Sequence, residues 1–171
     1  MVIEKTGLEG ILKITLDIFR DHRGYYIETY NKDIYKDNGI DINFIQDDIS
    51  VSKKNVLRGI HGDNETWKLV TCLEGEFYLI VVNNNENSKQ YKQWESFRLS
   101  EKNRIQTLIP PHFGNGHLVL SDRTIFHYKQ NTNYYPGKQF TIRWDDPDYK
   151  FNWPIKNPII SDRDKLGYFV D

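Results

Sequence analysis

Residues 56–70, VLRGIHGDNETWKLV, place an arginine, a histidine and a lysine in one short, partly apolar stretch. An apolar approach, Arg58, a tight Gly59 and then His61 read as the end of a strand that delivers an imidazole. That side chain changes charge near neutral pH. Gly62 to Thr66 reads as a turn, and Lys68 returns inside a second apolar run. Strand alternation over Trp67-Lys68-Leu69-Val70-Thr71 puts Lys68 on the face opposite Trp67 and Leu69. If that face lines a barrel, a titratable base and a fixed cation share one cavity. Taken alone, the stretch reads as a surface hairpin with a loop histidine, and the rest of the chain must decide.

Tyr128 is the other half of a possible reaction. A phenol on an aromatic strand can donate a proton, and Lys68 can stabilise a developing oxyanion by its charge. A base and an acid on opposite sides of a ligand can take a proton from one face and return it to the other. That inverts a carbon next to a carbonyl. Spacing does not single Tyr128 out from eleven tyrosines, most of which would pack as aromatics. Five histidines make a metal site the rival reading. His61 is followed by Gly62-Asp63, so the closely spaced histidine pair of metal-binding jelly rolls is missing. His112 and His117 flank a glycine corner with no carboxylate suitably spaced to complete a ligand set. The expectation is therefore acid–base chemistry without a metal.

Strands must position these groups. The 171-residue chain contains no alanine and is 14% aromatic, which favours strands over helices. Its length suits one domain, with a jelly-roll core over about 10–150 and a tail, 151–171, packed across it. Charges nearly cancel, with 23 basic and 24 acidic residues, so no broad field points to nucleic acid or a membrane. No run of 18 apolar residues occurs and MVIEKTGLEG lacks a signal-peptide stretch, which makes a cytoplasmic location the default. The lone Cys72, in LVTCL, reads as a buried hydrophobe.

Along the chain, 10–20 reads as an entry strand, 21–24 as a turn and 25–30 as a strand whose Glu28, with Arg23, faces a pocket. Residues 31–40 read as a short helix capped by Asn31 and stopped by Gly39. A strand over 40–52 leads through a turn at Lys53-Lys54-Asn55 into the central stretch. LVTCLEGEFYLIVVNN reads as a hairpin turning at Glu74-Gly75, with Phe77 to Val82 buried on both faces. A loop over 83–90, further strands around 94–99, 105–109 and 117–120, a Pro110-Pro111 turn with a glycine corner, and strands in 124–135 and 139–146 complete about ten strands. The fold class is all-β, a double-sheet jelly roll with short flanking helices.

At this point the residues carry a resemblance. DHRGYYIETYN, FIQDDISVSKKNVLRGIH, WKLV, LSEKN, IPPHFGNGH, HYKQNTNYY, IRWDDP, NWP and SDRD occur in the order that resembles the dTDP-4-dehydrorhamnose 3,5-epimerase family, from about residue 12 to 166. The resemblance implies that the jelly roll is a cupin-type double-stranded β-helix without metal or other cofactor, a homodimer paired through its sheets, and a nucleotide-sugar substrate whose 4-ketone makes neighbouring carbons acidic. It implies that His61 is the base, Asp164 its orienting carboxylate, Tyr128 the opposing acid and Lys68 the cation at the ketone. Arg23, Glu28, Gln46 and Arg58 fall on positions that line the pocket or hold the diphosphate.

Two departures touch the pocket. Gly62-Asp63 stands where the family has an aromatic and a glutamine. Asn115 replaces a pocket histidine, while His117 appears two positions later. The pair RGIHGD and GNGH, with a shorter loop before Lys68, resembles a branch acting on GDP-linked 4-keto-heptoses for capsular polysaccharide. Asp63, Asn115 and His117 then join the substrate-binding set, as extra polar partners for a more hydroxylated sugar. The resemblance leaves open a dTDP-4-dehydrorhamnose 3,5-epimerase, an epimerase at carbon 3 alone, a sugar-nucleotide ketoisomerase or a non-catalytic sugar-binding cupin.

Overall fold

The computed structural model describes residues 1–167. Its strands are β1 (Val2–Lys5), β2 (Leu12–Thr15), β3 (Phe19–Asp21), β4 (Gly24–Tyr26), β5 (Gln46–Lys53), β6 (Leu57–Gly62) and β7 (Lys68–Glu74). They continue with β8 (Glu76–Asn83), β9 (Trp94–Ser100), β10 (Ile105–Ile109), β11 (Phe113–Val119), β12 (Arg123–Gln130) and β13 (Phe140–Thr141). Helices α1 (Lys32–Asp37) and α2 (Asp162–Leu166) flank them. A six-stranded sheet ordered β1-β2-β10-β7-β12-β5 and a five-stranded sheet ordered β13-β6-β11-β8-β9 make a jelly roll, and β3 and β4 form a separate hairpin.

Period-two alternation distributes the apolar residues. On β8, Phe77, Leu79 and Val81 join Val70, Cys72, Leu99 and Phe126 in the core between the sheets. Ile80 and Val82 point the other way, with Leu57, Ile60 and Leu118, under Trp153 from the C-terminal segment. That is why β8 is apolar nearly throughout. On the outer face of the six-stranded sheet, Ile14, Leu69 and Leu108 are covered by Tyr35 of α1 and by Ile40. Trp67 packs there too, so Lys68 faces inward, as alternation requires.

Helix α1 starts where its cap dictates: the Asn31 side chain accepts from the Asp33 and Ile34 N–H groups. Other expected boundaries shift. The 10–20 segment splits into β2 and β3, the 25–30 strand ends at Tyr26, and the strand leading to the central stretch begins only at Gln46. The expected glycine corner after Pro111 is the first half of β11. Small residues there allow close approach: a Cβ on Gly114 would lie 2.7 Å from the Ile60 side chain. The count is thirteen strands among the described residues, against about ten expected, because short pieces flank the main run. The tail docks just before the start of β6 through an isolated parallel Val56–Ile159 bridge, and its residues 168–171 lie outside the described residues. Among the described residues no helix is long and apolar enough to cross a membrane.

Candidate active site

The inter-sheet space opens into a cavity of about 600 Å³ lined by His61, Lys68, Tyr128 and Asp164, together with Arg58, Asn115 and His117. A bulge decides the first of these. Arg58 and His61 are three residues apart, so an unbroken strand would turn them to opposite faces. In the β6–β11 pair, however, Asn115 stands opposite His61 and His117 opposite Arg58, so β6 holds one residue more than its partner. The extra residue restores both side chains to the cavity face. Gly59 permits it: its φ is +107°, and a Cβ there would lie 2.6 Å from the Asn115 carbonyl oxygen. The tight Gly59 expected from sequence thus has a defined task.

Asp164 arrives from the tail. Ser161 caps α2 by accepting the Asp164 backbone N–H, which leaves the carboxylate to point at β6. One oxygen lies 2.6 Å from His61 Nε2 and the other accepts the Gly59 N–H at 3.3 Å. Burial pushes the Asp164 carboxyl up, but the His61 hydrogen bond and charge, with the Gly59 and Ser161 contacts, outweigh it and hold it below the usual carboxylate range. An ionised Asp164 assigns the ring proton to Nε2 and leaves the lone pair on Nδ1. Burial lowers the His61 pKa against the raising effect of Asp164, with Arg163 and Lys68 adding to the lowering. The imidazole is therefore neutral and able to accept a proton at neutral pH.

The opposite wall belongs to the six-stranded sheet. Lys68 is 8% exposed and donates to Asn115 Oδ1 at 3.2 Å. Burial pulls its pKa down to about 8, Asp63 opposing and Arg163 assisting. Tyr128 and Asp48 stand opposite each other in the β5–β12 register. Burial first, and then Asp48, pushes the phenol well above its ordinary value, so Tyr128 keeps its proton. Neutral base, protonated phenol and buried ammonium meet in one space. Among the described residues no cluster of three or more histidine, cysteine or acidic side chains is placed to hold a metal ion.

Four expected pocket residues lie elsewhere. Arg23 pairs with Asp21 on the exposed β3–β4 hairpin, and Glu28 is exposed and bonded to Asn31. Neither lines the cavity of the single chain: Arg23 sits in the β3–β4 turn, and Glu28 follows the end of β4 at Tyr26. Gln46 supports the wall from behind, donating to Asp48 and accepting the Tyr134 N–H. Asp63 accepts the Glu65 and Thr66 N–H groups and thereby shapes the loop before Lys68, acting on the lysine only through charge. Sequence reasoning missed Ser50, Tyr134 and Arg163, all of which line the cavity. Arg163 was legible in principle, one step from Asp164 in SDRD.

The family model described as dTDP-4-dehydrorhamnose 3,5-epimerase matches residues 5–170. The chain belongs to this family. It is 40% identical over 166 residues to the dTDP-4-dehydrorhamnose 3,5-epimerase of Methanothermobacter thermautotrophicus, covering 94% of this chain and 90% of that one. Among solved structures, the dTDP-6-deoxy-D-glucose-3,5-epimerase of Legionella pneumophila in complex with dTDP-4-keto-L-rhamnose is similar at a TM-score of 0.93 and 33% identity, covering 98% and 91% of the two chains. The dTDP-4-dehydrorhamnose 3,5-epimerase of Bacillus anthracis with TDP and PPi bound reaches 0.94 at 29% identity, covering 99% of both. The reaction class and the fold expected from sequence stand: an isomerase of nucleotide sugars on a cupin-like jelly roll. The narrower expectation of a GDP-heptose branch in capsule synthesis is not supported, since these relatives carry dTDP-linked names. The exchange of Asn115 and His117 changes pocket polarity without identifying the nucleotide.

Proposed function

We propose that this protein inverts carbons 3 and 5 of a dTDP-linked 4-keto-6-deoxy sugar, the reaction of a dTDP-4-dehydrorhamnose 3,5-epimerase. The observation that carries the reading is the buried His61–Asp164 pair, 2.6 Å apart, in one cavity with Lys68 and Tyr128. His61 takes the proton from a carbon beside the ketone, and Asp164 stabilises the imidazolium that forms. Lys68 offsets the charge of the enolate oxygen. Tyr128 returns a proton to the opposite face, inverting the centre. Among the described residues, Arg58, Lys68 and Arg163 give the cavity lining three cationic side chains beside the carboxylate of Asp164, which suits an anionic substrate. The ketone already present supplies the acidity, so these residues need only move protons and hold charge.

Incubation with dTDP-4-keto-6-deoxyglucose in heavy water tests the reading. Deuterium should enter at carbons 3 and 5 with formation of the L-rhamno product. Exchange at carbon 3 alone would narrow the activity to a single centre, and no exchange would overturn it.

We also propose that the protein acts as a homodimer. Edge strand β5 turns Asp48 and Ser52 inward and leaves Ile49 and Val51 62% and 48% exposed outward, while the β3–β4 hairpin exposes Phe19, Tyr25 and Tyr26. A second copy would cover these surfaces. Sedimentation at twice the chain mass is expected, and a monomer at micromolar concentration would refute it.

A further inference from the structure

Proton transfer and charge stabilisation leave two polar atoms at the cavity unexplained. His117 on β11 is 4% exposed, lines the cavity and stacks on Phe126 with ring centroids 4.0 Å apart and planes 7° apart. Its Nε2 is buried and has no hydrogen-bond partner among the described residues. Ser50 lies across from Phe126 in the β5–β12 register, lines the same cavity, and its Oγ is likewise buried without a partner. Both orphan atoms thus neighbour one aromatic ring. A buried polar atom without a partner is destabilising, and a ligand that completes its bonding removes that cost.

Register indicates which part of a ligand would do so. Asn115 stands opposite His61 and is already bonded to Lys68, which marks the level of the reacting carbons. His117 lies two residues further along the same strand, about 7 Å away, roughly the span of a pyranose ring with its substituents. The charged groups acting on it are Arg58, His61 and Asp164; burial first, then Arg58 and His61, keeps the ring neutral. A neutral imidazole offers one donor and one acceptor, as a hydroxyl does. A phosphate only accepts, and the cavity provides Arg58 and Arg163 for that purpose.

We propose that His117, aided by Ser50 beside the same aromatic ring, is a specificity-determining residue that binds a hydroxyl of the substrate's sugar ring. The proposal rests on the nucleotide-sugar reading of the cavity and adds a ring-recognition site to it. Calorimetric titration of the wild type and His117→Phe with dTDP-glucose and with dTDP alone separates the two ideas. Phenylalanine keeps the stack on Phe126 and removes both ring nitrogens. The variant should bind dTDP-glucose about tenfold or more weakly while binding dTDP unchanged. Equal affinity for dTDP-glucose overturns the assignment, and so does an equal loss for dTDP, which would mark general damage to the site. A wild type that binds neither ligand overturns the nucleotide-sugar reading and this inference with it. Should His117→Phe not fold, the wild type decides: the ¹⁵N resonance of His117 Nε2 should move on adding dTDP-glucose and stay in place with dTDP. A resonance that ignores the sugar overturns the assignment.

Discussion

Each wall of the cavity pairs a titratable ring with a carboxylate, and the two pairs behave in opposite ways. On the five-stranded sheet, Asp164 lies 2.6 Å from His61 and stabilises the charged form of the ring, an imidazolium that exists only after proton transfer. On the six-stranded sheet, Asp48 opposes Tyr128 and disfavours the charged form of that ring, a phenolate. The same residue type makes one ring ready to receive a proton and the other reluctant to lose one. What differs is the sign of the charge each ring acquires. Burial acts on both rings alike, favouring the neutral form, so both enter the reaction uncharged.

The comparison breaks first at His61. His61→Asn should lower kcat by about 10²–10⁴-fold and abolish deuterium entry at both carbons, because among the described residues His61 is the neutral base of the cavity that is bonded to a carboxylate. Normal exchange in this variant would remove the base from the five-stranded wall. Tyr128→Phe should separate the steps: deuterium exchange persists while net inversion falls by about 10²-fold. Full inversion by this variant would place the proton donor elsewhere.

The carboxylates sharpen the contrast. Asp164→Asn should cost about 10–100-fold in rate, the usual effect of losing the group that orients an imidazole. It should also shift the acid limb of kcat/KM to lower pH, because Asp164 is what raises the His61 pKa against burial. Asp48→Asn should change the rate by less than about tenfold, since burial contributes most to the Tyr128 shift. Equal losses from the two asparagine variants would mean that the walls are not specialised.

The strand framework was readable because period-two alternation is local: Trp67, Leu69 and Lys68 sort themselves to the faces that Lys68's position in the cavity requires. The cap of α1 was readable for the same reason, since Asn31 bonds two and three residues ahead. The placement of Arg58 with His61 was not, because alternation alone separates them and only the bulge at Gly59 reunites them. Asp164 was expected through family resemblance; no local signal joins residues 103 positions apart. Arg23 and Glu28 stand away from the cavity of the single chain, Arg23 in the β3–β4 turn and Glu28 in a segment that leaves strand geometry after Tyr26, where alternation in YYIETY reads as a continuing strand. Nucleotide identity could not be read from Asn115 and His117, since neither side chain is specific to a base.

The smallest effect concerns the cation between the walls. Lys68 stabilises an enolate only while protonated, and burial brings its pKa down to about 8. His61 accepts a proton only while neutral, and its pKa is lowered from 6.5. The profile of kcat/KM should therefore rise with pH through a value below 6.5, stay level near neutrality, and fall as pH climbs through about 8. The fall should be about twofold at the lysine's pKa and about tenfold one pH unit above it. Tyr128 cannot account for that limb, because its pKa is raised rather than lowered. Lys68→Met should reduce the rate and remove the limb, leaving activity flat through pH 9. A limb that survives the substitution would mean that another group loses the decisive proton, and the ammonium would then be a binding group alone.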